Sequence, residues 1–419
     1  MSPTQRLGQI ASHLGAQPAN RTQIGTKNPD DVVVVSALRT PITRARKGGF
    51  KDTAPEYLLA AVLKGILDRT KIDPAVVEDI SVGNVCTPAG GATHARMAML
   101  YAGFPETTCV HTVNRQCSSG LQTVTHIANA IQSGMIEAGI GAGVESMSFY
   151  YDPTKLIVVD KLSQEVLSNE ASTGCLIPMG VTSENVAKQF GVDRKKQDEL
   201  AALSHERAAK AQKSGLFDDE IVAVKTKVVD KDGEEKEIVV TKDDGIRPGT
   251  TAENLSKLRT VFSKDGTTTA GNSSQVSDGA AAVLLMKRSK AQSLGLPILG
   301  KYVIANVSGV PPQIMGIGPA YAIPAAAKKA GIDVQDIDII ELNEAFASQA
   351  VYCAEKLNLS PEKVNPKGGA IAIGHPLGCT GARQVATLFT ELKRQNKRIG
   401  AVSMCIGTGM GMCAIFERE

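Results

Sequence analysis

Asn114-Arg115-Gln116-Cys117-Ser118-Ser119-Gly120-Leu121 is the stretch on which the fold turns. It follows a short apolar, β-branched segment, Cys109-Val110-His111-Thr112-Val113. It opens a pattern in which Leu121, Val124, Ile127, Ala128 and Ile131 recur at helical spacing. The order is strand, turn, helix. Cys117 then stands at or just before the first helical turn, where free backbone N–H groups and the positive end of the helix dipole favour a thiolate. Ser118, Ser119 and Gly120 are small enough to let a substrate reach the sulfur. A cysteine is also at home as a small buried hydrophobe. A strand before it and small residues opening a helix after it point instead to a nucleophile.

The flanking chain repeats this alternation. Val32–Ser36 and Ile80–Val85 are apolar runs with strand character, and Ala54–Leu67 and Ala95–Ala102 read as helices. Ile140–Val144 is a buried strand beyond the Cys117 helix. This is α/β alternation. After about Tyr150 the texture changes: residues 151–268 carry most of the charge runs. One of these, Asp230–Glu235, is flanked by Val222–Val229 and Ile238–Thr241 as the tip of a hairpin. The expected division is an extension over 1–29, a first half over 30–150 completed by 269–293, an inserted loop domain over 151–268, and a second half over 294–419.

The second half echoes the first. Ile72-Asp73-Pro74 followed by Asp79–Asn84 has a counterpart in Ile332-Asp333-Val334 followed by Asp338–Asn343. The Cys117 unit has one in Gly374–Gly381, which opens a helix that leads to the strand Ala401–Cys405. Two duplicated α/β halves are expected.

Composition narrows the function. The 419 residues are 42% hydrophobic with 40 glycines, the profile of a glycine-rich α/β protein. A formal charge of +3, without arginine-rich runs, makes no case for nucleic acid. Eight cysteines without CxxC pairs or ligand-spaced histidines argue against a structural metal and for free thiols in a reducing compartment. Prolines break the uncharged run Tyr302–Ala327 and glycines break Ile399–Phe416, so no membrane span is expected.

Three further stretches carry chemistry. His375 lies among glycines in Gly368–Gly381, and an imidazole there could act as the base for Cys117. Cys405 ends a buried strand before Gly407-Thr408-Gly409-Met410-Gly411, and the Gly407 N–H is open to an oxyanion. A dinucleotide-type reading of those glycines fails, because a strand follows them and no phosphate-capping helix does. Asn343, in Asn343-Glu344-Ala345-Phe346, is either a helix N-cap or a holder of water or substrate oxygen.

With Asn114–Gly120, Asn343–Ala347, Gly374–Arg383 and Cys405–Gly411 in this order, the chain resembles the thiolases from Asp31 to Glu419. The resemblance implies an α-β-α-β-α layered sandwich with an inserted loop domain. It implies cleavage of a 3-ketoacyl-CoA by coenzyme A, giving acetyl-CoA and a shortened acyl-CoA, with no bound prosthetic group and no metal. Cys117 corresponds to the acylated nucleophile, His375 to its activator and part of the oxyanion hole, and Cys405 to the acid/base. Asn343 corresponds to the holder of an oxyanion water, and Gly407 to a backbone oxyanion donor. Arg247, Ser274 and Met179 correspond to coenzyme A and substrate contacts. Acetoacetyl-CoA thiolases carry a histidine before the methionine where this chain has Pro178, which favours a broad-chain-length enzyme of fatty-acid β-oxidation. A thiolase restricted to acetoacetyl-CoA and a non-catalytic acyl-CoA-binding relative are the alternatives; the retained cysteines and His375 argue against the second. The family also implies a homodimer.

Residues 1–29 contain no acidic side chain. Arg6-Leu7, five residues, then His13-Leu14 resembles the N-terminal signal read by the peroxisomal import receptor, with a mitochondrial presequence as the alternative.

Overall fold

The computed structural model describes residues 24–153 and 157–419. In the first half the strands are, in chain order, Val32–Arg39, Asp79–Gly83, Cys109–Val113, Ala138–Ser146 and Ser277–Lys287. Numbered that way they lie side by side as 1-5-4-2-3. The second half uses Gly300–Gly309, Ile339–Leu342, a single bridge at Val364, Ile399–Ile406 and Met410–Arg418, again as 1-5-4-2-3. Strand directions match as well. Strand 5 runs antiparallel to strands 1 and 4 in each half, and strands 4, 2 and 3 are mutually parallel. The duplication expected from weak sequence echoes is therefore present in topology. Among the described residues the two sheet halves are joined edge to edge by the pairs Val33↔Lys301 and Val34↔Gly300, which link them into one ten-stranded sheet.

Period-two alternation explains the layers. Val32 and Val34 face one core with Val283 and Leu285, while Val33 and Val35 face another with Ala282 and Leu284. In the second half Val402, Met404 and Met412 join the first of these cores, and Ala401, Cys413 and Ile415 face a third. The shared core holds the helices Ser119–Gln132 and Thr380–Arg394 between the sheets. The helices Pro55–Thr70 and Ala92–Tyr101 cover one outer face, and Gly318–Ala330 and Ala347–Lys356 the other. This is the expected five-layer sandwich. Because both faces of each sheet are covered, strands such as Val32–Arg39 are buried at every position.

The expected hairpin pairs Val224–Val229 with Glu235–Val240. The helices Met179–Phe190 and Arg194–Lys213 stand beside it in sequence. Cys109–Val113 differs from a core strand: it lies at the sheet edge and Cys109 is exposed. Among the described residues no helix is long and apolar enough to cross a membrane.

Candidate active site

The turn carrying Cys117 is tied by its own side chains. Asn114 Oδ1 accepts from Gln116 N at 3.0 Å, which bends the chain, and Gln116 adopts φ +48°. Ser119 Oγ accepts from Arg115 N at 2.9 Å and donates to Gln116 O at 2.6 Å. A non-glycine residue held in the left-handed region is strained backbone of the kind found at functional sites. Ser118 is the N-cap of helix Ser119–Gln132, so Cys117 sits just before the helix. Backbone N–H groups of Gly407 and of Cys117 itself support the thiolate, yet burial outweighs them and pushes the thiol up to about 11. At rest it is therefore a thiol that needs a base, and the help of the helix end does not by itself make it a thiolate.

Glycines let the two halves meet here. A Cβ on Gly381 would lie 2.2 Å from Leu121 N, so the two central helices touch backbone to backbone at their first turns. A Cβ on Gly143 would lie 2.1 Å from Gly378 O. The His375–Cys379 loop is thus threaded against the Cys117 half. Glu145 fixes it there: its buried carboxylate accepts from Gly378 N at 2.9 Å, Cys86 N at 3.0 Å and Val85 N at 3.1 Å. Burial raises its pKa to about 7 against those donors.

His375 is buried. Its Nδ1 lies 2.7 Å from Thr380 Oγ1, and that hydroxyl donates to Pro376 O at 3.1 Å. A hydroxyl whose hydrogen is committed to a carbonyl accepts from the ring, so Nδ1 carries the ring hydrogen and Nε2 presents a lone pair. Nε2 faces Asn343 Nδ2 at 3.3 Å. Burial, helped by the Arg383 guanidinium, pulls the imidazole down to about 3, so it is neutral at physiological pH. Asn343 is not an N-cap, because the following helix begins at Ala347 with Phe346 at the cap. Its Oδ1 is buried without a partner among the described residues, which leaves capacity for a water.

Cys405 is fully buried, in a small cluster with Met315, Ala345, Met179 and Phe346. Burial, then the neighbouring Cys117 and Cys353 sulfurs, push its thiol well above the usual range. Its Sγ donates to Gln349 Oε1 at 3.1 Å, and Gln349 Nε2 donates to Asn343 O at 3.1 Å. A Cβ on Gly407 would lie 3.5 Å from Met179 Sδ and 3.6 Å from Gln116 Cγ. Cys117, Cys405, Gly407, Met179, Asn343 and His375 are therefore brought into one linked group.

The remaining expected residues lie toward the inserted segment. Ser274 N donates to Ala345 O at 3.0 Å, and His375 N donates to Gln275 O at 3.0 Å. The segment bearing Ser274 thus runs between the Asn343 turn and the His375 loop. Arg247 is exposed, its N–H held by His205 Nδ1 at 3.2 Å. Burial, with Arg247 adding to it, lowers His205 to about 4. Among the described residues no cluster of His, Cys, Asp or Glu is arranged to hold a metal. Arg6–Leu14 lies outside the described residues. Sequence reasoning missed Gln349, Thr380 and Glu145. Only Thr380 carried a signal, a hydroxyl five residues after His375 where the next helix begins.

The N-terminal domain of thiolase matches residues 32–289 and the C-terminal domain 296–418. The peroxisomal 3-ketoacyl-CoA thiolase of Yarrowia lipolytica is 54% identical over 415 residues, covering 99% of this chain and 100% of that one. Its Homo sapiens counterpart is 58% identical over 388 residues, covering 92% and 91%. The crystal structure of the dimeric peroxisomal thiolase of Saccharomyces cerevisiae matches with a TM-score of 0.87 at 50% identity, over 94% of this chain and 99% of that one. Human mitochondrial 3-ketoacyl-CoA thiolase in complex with CoA matches with a TM-score of 0.82 at 36% identity, over 93% and 98%. Matches to both thiolase domains over residues 32–289 and 296–418, relatives 54% and 58% identical over nearly the whole chain, and a duplicated five-layer fold shared with a solved thiolase show that this chain belongs to the thiolase family.

Proposed function

We propose that the protein cleaves 3-ketoacyl-CoA with coenzyme A, yielding acetyl-CoA and an acyl-CoA two carbons shorter, as the last step of a fatty-acid β-oxidation cycle. The observation that carries this reading is the linked group around Cys117, with the Gly407 N–H on its sulfur and the Cys405–Gln349–Asn343–His375 chain beside it. His375 Nε2 takes the Cys117 proton, and the sulfur attacks the 3-keto carbon. The N–H groups of Cys117 and Gly407 hold the oxyanion. As C2–C3 breaks, the enolate oxygen of acetyl-CoA is held by His375 and a water on Asn343, and Cys405 gives its proton to C2. Cys405 then takes the proton of incoming CoA, whose sulfur removes the acyl group from Cys117. Arg247, Ser274 and Met179 contact the CoA and pantetheine portions, and residues 151–268 form the side from which CoA approaches.

Pro178 before Met179 supports acceptance of acyl chains longer than acetoacetyl. Relatives named as peroxisomal support a peroxisomal site of action, with Arg6–Leu14 as the signal for the import receptor. The dimeric relative from Saccharomyces cerevisiae supports a homodimer. The test is initial-rate kinetics with CoA varied at fixed levels of 3-ketoacyl-CoAs of several chain lengths. Parallel double-reciprocal lines are expected for long as well as four-carbon substrates. Intersecting lines would overturn the covalent shuttle, and activity on acetoacetyl-CoA alone would overturn the broad chain length.

A further inference from the structure

Gln349 is 1% exposed and lies between two groups of the proposed mechanism. Its Nε2 donates to Asn343 O at 3.1 Å, and its Oε1 accepts from Cys405 Sγ at 3.1 Å. A backbone carbonyl can only accept, so the first bond fixes which end of the amide faces the sulfur. The end facing Cys405 has no hydrogen to offer. Turning the amide over would put Oε1 against the Asn343 carbonyl and leave that buried acceptor unpaired, at a cost of about 1–3 kcal/mol. An oxygen lone pair held against Cys405 favours S–H and opposes a negative sulfur. The titratable groups bearing on Cys405 are Cys117, from the turn before the first central helix, and Cys353, from the helix of Gln349 itself.

We propose that Gln349 is a positioning residue that keeps Cys405 in its S–H form and ties it to the Asn343 turn; this rests on the reading of Cys405 as the acid/base. A carbanion takes a proton even from a weak acid, so C–C cleavage needs a thiol that has not already ionised. In the step, the Cys405 S–H bond breaks as the C2–H bond forms, and the electron pair stays on sulfur. That thiolate, opposed by Oε1, is the stronger base for the proton of incoming CoA, which returns Cys405 to the thiol. The same amide serves both transfers.

The test is the pH profile of kcat for 3-ketoacyl-CoA cleavage in the full-length protein, with Gln349→Met and Gln349→Glu. Methionine keeps the shape and removes the acceptor, so the alkaline limb is expected to move to lower pH by about one unit. Glutamate, ionised on that limb, places a negative acceptor on the thiol, and the limb is expected to move to higher pH. Limbs that stay in place or move in the same direction would overturn the proposal. Should the methionine variant not fold, the glutamate variant alone decides: an upward shift supports the role, and no shift or a downward one removes it. Cys405→Ala, run alongside, separates the two levels. Cleavage retained there would overturn the acid/base reading itself, whereas its loss with unmoved Gln349 limbs would overturn only the role of Gln349.

Discussion

His375 is neutral at neutral pH because the fold refuses it a charge. Its pKa is about 3 in the folded chain against 6.5 for the free group, and the lowering comes first from burial. A group lowered in this way stabilises the fold fully above its unfolded value, and that contribution is lost as pH falls from 6.5 toward about 3. The slope is about 1.4 kcal/mol per pH unit for one proton. His375→Asn is expected to flatten the acid side of the stability profile by that slope, measured as urea midpoints across the same interval. It should also slow acylation of Cys117 by about 10²- to 10⁴-fold. An unchanged acid slope would assign the proton to another group. Cys117, His375 and Cys405 were legible as candidates in the sequence because each stands near small or glycine residues next to a strand or helix end, and Asn343 because it follows an apolar strand. Gln349 and Glu145 were not. Gln349 becomes significant only when its helix packs so that one amide reaches both Cys405 and Asn343. Glu145 does so only when the second half brings Gly378 N within 2.9 Å.

At the scale of elements, the contact that brings the halves together is the crossing of helices Ser119–Gln132 and Thr380–Arg394 at their glycines. The atom facing a Cβ at Gly381 is backbone, Leu121 N at 2.2 Å, so neither helix can yield locally. Gly381→Ala is expected to cost about 3 kcal/mol in urea unfolding and to lower kcat by displacing the His375 loop. Gly309→Ala is the control: nothing lies within 4 Å of its Cβ, and the cost should stay near 0.5 kcal/mol, a value of about the size seen at permissive surface sites. Equal effects at the two positions would refute the packing argument. The helices themselves were readable from apolar periodicity, and the core strands from their unbroken apolar runs. The exposure of Cys109–Val113 was not readable, since an edge strand and a central strand of the same β-branched composition differ only in their neighbours.

Across the whole molecule, two sheet halves of the same strand order are joined through just two residue pairs among the described residues, so other contacts must hold them together. The shared apolar core is one. A fully buried ion cluster is another. Arg39 from the first half meets Glu220 at 2.7 Å and Asp243 at 2.7 Å from the inserted segment, and Lys367 from the second half meets Glu220 at 2.7 Å. Arg39 and its carboxylate partners stand 181 and 204 residues apart in sequence, so local pattern could not announce these pairs, whereas the duplication left a weak but readable echo. The halves jointly build one linked group, with Cys117 from the first and His375 and Cys405 from the second. The most direct test mixes the protein with a 3-ketoacyl-CoA in the absence of CoA, quenches in acid, digests, and locates the added mass. The shortened acyl group is expected on the peptide bearing Cys117, released as acyl-CoA when CoA is added before the quench. Cleavage that proceeds with no acyl group on Cys117, or with it on Cys405, would contradict this.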